Sequence, residues 1–330
     1  MSTRKSLAIL YCLATLPLAL CAEEGGMGHY IPGMTSSFID ACPYEPGFAY
    51  KNMTLYYGGD ASAKKGLPLG LNLAAGVDAD LYANIHMFLY QSTLELLGGR
   101  YAAGIAIPYV RLDVDVSGTL TRNPRRPGNI IPVRRPLSKT KEVSDRAEGL
   151  GDIILAPFNL VWKKGDLTWD AHLYVFAPTG EYDENDLANV GMNYWTFEPG
   201  ASLSYLGSKN GIEASAFAGV DFNTENPDTD YQTGEQAHLD MTLAQHFPLG
   251  KGFGGVGANG YYYEQITGDS GAGAVLGDFK GKTYGVGPVL SYIVKFADTT
   301  VALELKWLPE LDVENRLEGD YVWFKAAVAF

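Results

Sequence analysis

The chain has 330 residues, a net formal charge of −13, 39 glycines and 21 tyrosines. That negative balance is opposite in sign to what a phosphate backbone attracts, which excludes a nucleic-acid partner. Charged residues, at 19%, fall below the roughly 25% of an average soluble domain, and the Gly and aromatic surplus suits turns and broad strands more than helices.

Residues 1–22 have the form of a secretory leader. Arg4 and Lys5 precede an apolar run over 7–20, and Ala19, Cys21 and Ala22 supply small residues for a cut after Cys21 or Ala22. Leu20 is bulky where a lipoprotein signal wants a small residue. Two of the three cysteines lie in or beside this leader, so Cys42 is alone and no disulfide framework exists. No later apolar run reaches the roughly 18 residues of a spanning helix. Only helices and closed barrels satisfy their backbones in lipid. An exported chain rich in amphipathic strands is therefore expected to be a bacterial outer-membrane barrel.

Residues 23–47 are irregular and rich in Gly and Pro, either a periplasmic tail or a plug folded into the barrel mouth. The barrel is expected over 48–330. Strands are predicted at 48–57, 73–90, 100–120, 150–162, 167–179, 193–206, 212–223, 237–247, 254–267, 282–295, 300–307 and 320–330. The stretch 76–90 is the clearest. Val77, Ala79, Leu81, Ala83, Ile85, Met87 and Leu89 form one face, and Asp78, Asp80, Tyr82, Asn84 and His86 the other. In the third strand the apolar phase shifts near Pro108, which predicts a bulge at 108–109. Connections alternate between short turns and longer polar loops, as periplasmic turns and external loops do in outer-membrane barrels. The fold expected is thus all-β: one antiparallel transmembrane barrel of twelve strands. It ends in Phe330, preceded by Val328, Ala326, Phe324 and Val322 at alternate positions. Such an ending resembles the signal read by the barrel-assembly machinery.

With apolar faces toward lipid, the predicted lumen wall includes Asp78, Asp80, His86, Arg111, Asp113, Asp115, Asp170, His172 and Asp240, within a broadly acidic set that also holds Asp152, Glu198, Glu213, Asp221 and Glu304. The long loop over 121–149 is basic. Its Arg122, Arg125, Arg126, Arg134, Arg135, Lys139 and Lys141 could fold inward as a constriction against Asp78, Asp80, Asp113 and Asp115, or grip lipopolysaccharide phosphates at the rim. His86, His172, His238 and His246 lie on three separated strands without ligand spacing, and no G-x-S-x-G or H-E-x-x-H occurs. No metal, cofactor or catalytic site is expected.

Four stretches carry a family resemblance: EGGMGHYIPG at 24–33, GGRYAAGIAIPYV at 98–110, GLGDIILAPFNLVW at 149–162, and APTGEYDENDLANVGMNYWTFEPG at 177–200. The chain resembles outer-membrane proteins associated with the meta pathway of phenol degradation, also known as SphA-like transporters. Met27 in the first motif and Met34 just after it stand where small residues would be unremarkable. The resemblance implies an integral outer-membrane barrel that passively takes up small hydrophobic or aromatic solutes, with lipid and lipopolysaccharide as its surroundings. A surface-interaction barrel and a general small-solute porin are the alternatives. The acidic tip of the last motif (Asp183, Glu184, Asp186) lacks a calcium-loop pattern, and its Pro, Gly, Asn and Trp have turn and interface duties.

Overall fold

A computed structural model describes residues 23–67, 71–122, 137–274, 280–297 and 299–330. Thirteen strands form one antiparallel sheet: β1 (Gly47–Leu67), β2 (Leu71–Leu96), β3 (Gly99–Arg122), β4 (Leu137–Leu150), β5 (Ile153–Lys164), β6 (Leu167–Ala177), β7 (Thr196–Leu206), β8 (Ile212–Asn223), β9 (Gln236–Leu249), β10 (Gly252–Gln265), β11 (Lys282–Phe296), β12 (Thr299–Glu314) and β13 (Glu318–Ala329). The sheet closes where β1 pairs with β13, and Phe330 N–H donates to Phe48 O at 2.9 Å. Twelve strands make the barrel, and β4 is an addition inside the stretch expected to be a loop.

The addition depends on Pro108. β3 pairs with β5 through Arg100–Ala106, then with β4 through Tyr109–Arg122. Proline has no N–H to donate to a ladder, and the Pro108 carbonyl accepts from Gly151 N–H at 3.0 Å. Toward β2 the ladder continues through Ile85↔Pro108 without a shift, so the expected bulge is absent there. The change of apolar phase has another cause. Ala103, Ile105 and Ile107 point outward to lipid, while Val110, Leu112, Val114 and Val116 point inward on the same register. From Tyr109 onward the outer face carries Arg111, Asp113 and Asp115 instead of apolar residues.

This corrects the facing of the tall wall. β1, β2 and β3 run 21, 26 and 24 residues, well beyond the roughly 9–11 that cross a bilayer. Val77, Ala79, Leu81, Ala83 and Ile85 are buried inside the barrel beside Met53, Leu55 and Tyr57. Asp78, Asp80, His86, Arg111, Asp113 and Asp115 lie on the outer face, so none of these six lines the lumen. The expectation failed because it allowed an apolar face only one destination, lipid. Here the lumen holds apolar chain that receives it. Outside, Arg111 pairs with Asp113 at 3.0 Å, Arg146 also pairs with Asp113, and Tyr56 OH donates to Asp80 at 2.7 Å. Nearer the periplasmic end, Asn52, Thr54 and Asn84 hydrogen-bond to one another, and His86 Nδ1 bonds Tyr50 OH at 2.7 Å. These side chains thereby satisfy each other on the lipid face.

Residues 58–67 and most of 308–319, expected in loops, instead extend β1 and the β12–β13 pair. Around the rest of the barrel the expected facing holds. Ile212, Leu203, Phe222, Leu305 and Trp307 are exposed, while Glu213, Asp221, His238, Asp240, Glu304 and Lys306 are buried inside.

Candidate functional site

Residues 23–46 descend through the lumen, from the long-loop end to the short-turn end where β1 begins. Each turn of this segment meets an inward side chain of the wall. Glu23 pairs with Arg316 and accepts from Tyr263 OH. Glu24 accepts from Asn226 Nδ2 at 3.0 Å and from Tyr182 OH at 3.3 Å. His29 sits between Asp152 (3.0 Å) and Thr196 (2.7 Å) and stacks on Phe176. Tyr30 stacks on His238, with ring centroids 4.0 Å apart, and donates to Asp240 at 2.7 Å. Gly33 has φ +79, and a Cβ there would stand 2.6 Å from Leu308 Cδ1. The close approach lets Gly33 N–H reach Asp240 at 2.8 Å, while Trp323 Nε1–H reaches Pro32 O at 2.8 Å.

The lower anchor is ionic. Lys51 and Lys325 hold the two oxygens of Asp40 at 2.8 and 2.5 Å, and Ser36 N–H adds a bond at 2.8 Å. Lys325 also donates to Met34 O at 2.9 Å, and Glu304 accepts from Ser37. Burial alone would push the Asp40 carboxyl up, but Lys325, Lys51 and Lys306 outweigh it and hold the group well below its ordinary 3.8. A depressed acid stabilises the folded state fully above its unfolded value and loses that contribution as pH falls through the folded one. Glu23 and Glu24 are pushed up, chiefly by burial, so their protonation does not cost folded stability as pH falls. We expect the segment to loosen from its lower end only as pH falls well below 3.8, through the depressed range of Asp40. A spin label at Ala41 should stay immobile at pH 7 and gain mobility there before one at Gly26 does; the reverse order would contradict this anchoring.

The filled lumen has two unlike sides. Toward β6–β9 and β12 it is polar: Asp170 bonds His172 at 2.6 Å, and Glu213 bonds His246 at 2.8 Å. Asp170, His172 and Asp240 are thus inside, at positions expected to line the lumen. Toward β1–β3 it is apolar. Met34 packs with Met53, Leu55, Leu81, Ala83 and Ile85, and Met27, Ile31 and Met87 pack against that cluster. At the periplasmic end a cavity of about 390 Å³ is lined by Phe38, Cys42, Tyr44, Met87, Leu89 and Tyr174, among others. A narrow gap of about 20 Å³ beside Met34, Met53 and Ala106 shares Lys51, Met87 and Tyr174 with it.

Of the basic loop, Arg125, Arg126, Arg134 and Arg135 lie outside the described residues, as do the side chains of Arg122 and Lys139. Lys141 stands in β4, opposite Gly118. The four aspartates expected to receive this loop point away from the lumen, so a constriction cannot be built on them.

Two motifs meet at Asp152. Its carboxylate accepts from Thr179, Gly180 and Met192 N–H at 2.7–2.9 Å as well as from His29. The loop of 178–195 is tied back over the barrel, where Asp145 accepts from Leu187 N–H at 2.9 Å and Ala188 N–H at 3.1 Å. Gly180 and Gly191 touch backbone to backbone, which leaves no space for a Cβ at either. Sequence reading listed Asp152 only as one acid among many. The inward anchors Lys51, Arg316 and Trp323 went unassigned, whereas Lys325 was expected on the lumen wall only as one of its few basic residues, and a single basic or aromatic residue on an inward strand position was the signal available.

Among known proteins, the family described as "Putative MetA-pathway of phenol degradation" matches residues 58–326. The COG4313 outer membrane channel from Pseudomonas putida F1 superposes with a TM-score of 0.54 at 14% identity, covering 92% of this chain and 100% of that one. BamA from Haemophilus ducreyi, lacking POTRA domains 1–3, gives a TM-score of 0.29 at 10% identity, covering 87% of this chain and 71% of that one. No curated protein matches the sequence. The fold shared with the Pseudomonas putida channel is that of an integral outer-membrane β-barrel.

Proposed function

Because the chain belongs to the family described as "Putative MetA-pathway of phenol degradation", we propose that it is an outer-membrane channel for passive uptake of small hydrophobic or aromatic compounds. The two-sided lumen carries this reading. A purely polar wall would suit a water-filled porin, whereas here Leu55, Leu81, Ala83 and Ile85 face an apolar flank of the N-terminal segment. Met27, Met34, Met53 and Met87 lie along that contact. Methionine is unbranched and polarisable and repacks readily, so the contact can part around a flat apolar solute and reclose. The periplasmic cavity lies at the lower end of the lumen and reaches Met87 and Leu89 on that side. The N-terminal segment acts as a plug on the polar side and as the movable wall on the apolar one.

Proteoliposome swelling tests this. A small aromatic carboxylate should enter faster than a sugar of equal size. Equal rates would favour a general porin, and no swelling with either a surface-interaction barrel.

A further inference from the structure

Glu198, Asp221 and His238 come from the adjacent strands β7, β8 and β9, and all three are buried. One ligand atom from each lies within 4.8 Å of the others. His238 Nε2 stands 3.6 Å from Glu198 Oε1 and 4.0 Å from Asp221 Oδ1. Neither oxygen of fully buried Asp221 has a hydrogen-bond partner, and neither ring nitrogen of His238 has one. Buried polar atoms are rarely left so, and an uncompensated buried charge is costly. A single proton shared between the carboxylates would answer only one oxygen of each. Gly219 keeps the space open, because a Cβ there would meet His238 Nε2 at 2.5 Å and Glu198 Oε1 at 3.0 Å.

We propose that Glu198, Asp221 and His238 bind a divalent transition-metal cation, with Zn²⁺ well suited to one imidazole and two carboxylates. Zinc takes such ligands at roughly 2.0–2.2 Å, and in a tetrahedron this sets neighbouring ligand atoms about 3.4 Å apart. The observed separations need only small side-chain adjustments to reach that. The cation would pin the face of His238 on which Tyr30 stacks. It would thereby stiffen the seat of the N-terminal segment as well as cross-link three strands. Sequence spacing could not reveal the site, since its ligands are adjacent only through strand register.

The test is zinc content of the refolded full chain after loading with Zn²⁺ and dialysis, with heat-modifiable gel mobility reporting the folded barrel. About one zinc per chain is expected. Asp221→Asn and His238→Gln should each weaken retention about 100-fold or more, while His172→Gln retains zinc. If the two site variants fail to fold, X-ray absorption of the zinc-loaded chain decides. The site requires a shell of oxygens with one imidazole nitrogen at about 2.0–2.2 Å. A folded full chain that retains no zinc would overturn the proposal in favour of a shared proton. A sulfur-containing shell, or undiminished retention in folded Asp221→Asn and His238→Gln, would overturn it in favour of binding elsewhere.

Discussion

Replacing Asp40 with Ala should destabilise the folded chain by about 3–5 kcal/mol, the range for removing one partner of a buried ion pair. Lys325 and Lys51 both lose their shared carboxylate. Lys325 is fully buried, so water does not replace the carboxylate there, whereas Lys51 borders the periplasmic cavity and can be hydrated. Glu304 lies 3.5 Å from Lys325 and 3.2 Å from Lys306. It cannot fully compensate, because it already serves both lysines. The expected result is a clear drop in the temperature at which heat-modifiable mobility is lost, with raised solute flux below that temperature as the segment leaves its seat. Asp183→Ala, in an exposed loop tip, is the comparison and should leave both nearly unchanged. An Asp40→Ala chain as stable and as closed as the parent would show that the lower anchor does not hold the segment.

How far the sequence discloses this arrangement varies around the barrel. β8 is readable outright: Glu213, Ser215 and Asp221 alternate with Ile212, Ala214 and Phe222, and a membrane crossing of 12 residues admits one solution. β2 gives an equally clean alternation, yet its sense is reversed. Periodicity reports that two faces differ, and what each face touches depends on the chain filling the lumen and on how far the strand rises above the bilayer. The same rise explains the extended hairpin of β12 and β13. Residues 308–319 were expected as a loop, yet β12 continues to Glu314 with Leu308 and Glu310 buried inside.

The site was less legible than the fold. Asp40 and Lys325 are 285 residues apart in sequence, and nothing local marks either as a partner of the other. The motif at 24–33 was recognisable as a unit, but its contacts with Asp152, Asp240, Trp323 and Asn226 follow from threading through a closed barrel. The motifs at 149–162 and 177–200 were likewise separate in sequence. Both serve one carboxylate, Asp152, which ties the loop of 178–195 to His29.

The central claim is that the N-terminal segment closes the polar lumen and leaves only an apolar passage beside it. Deleting residues 24–45 tests it most directly, by swelling of proteoliposomes in a sugar and in an aromatic carboxylate of equal size. The freed wall groups (Lys306, Lys325, Glu304, Asp240 and Arg316) would face water, which solvates charges well, so the barrel should remain heat-modifiable though less stable. The expected result is rapid sugar entry, absent or slow in the full chain, with the preference for the aromatic solute lost. A folded deletion chain that excludes sugar as well as the full chain does would contradict the claim.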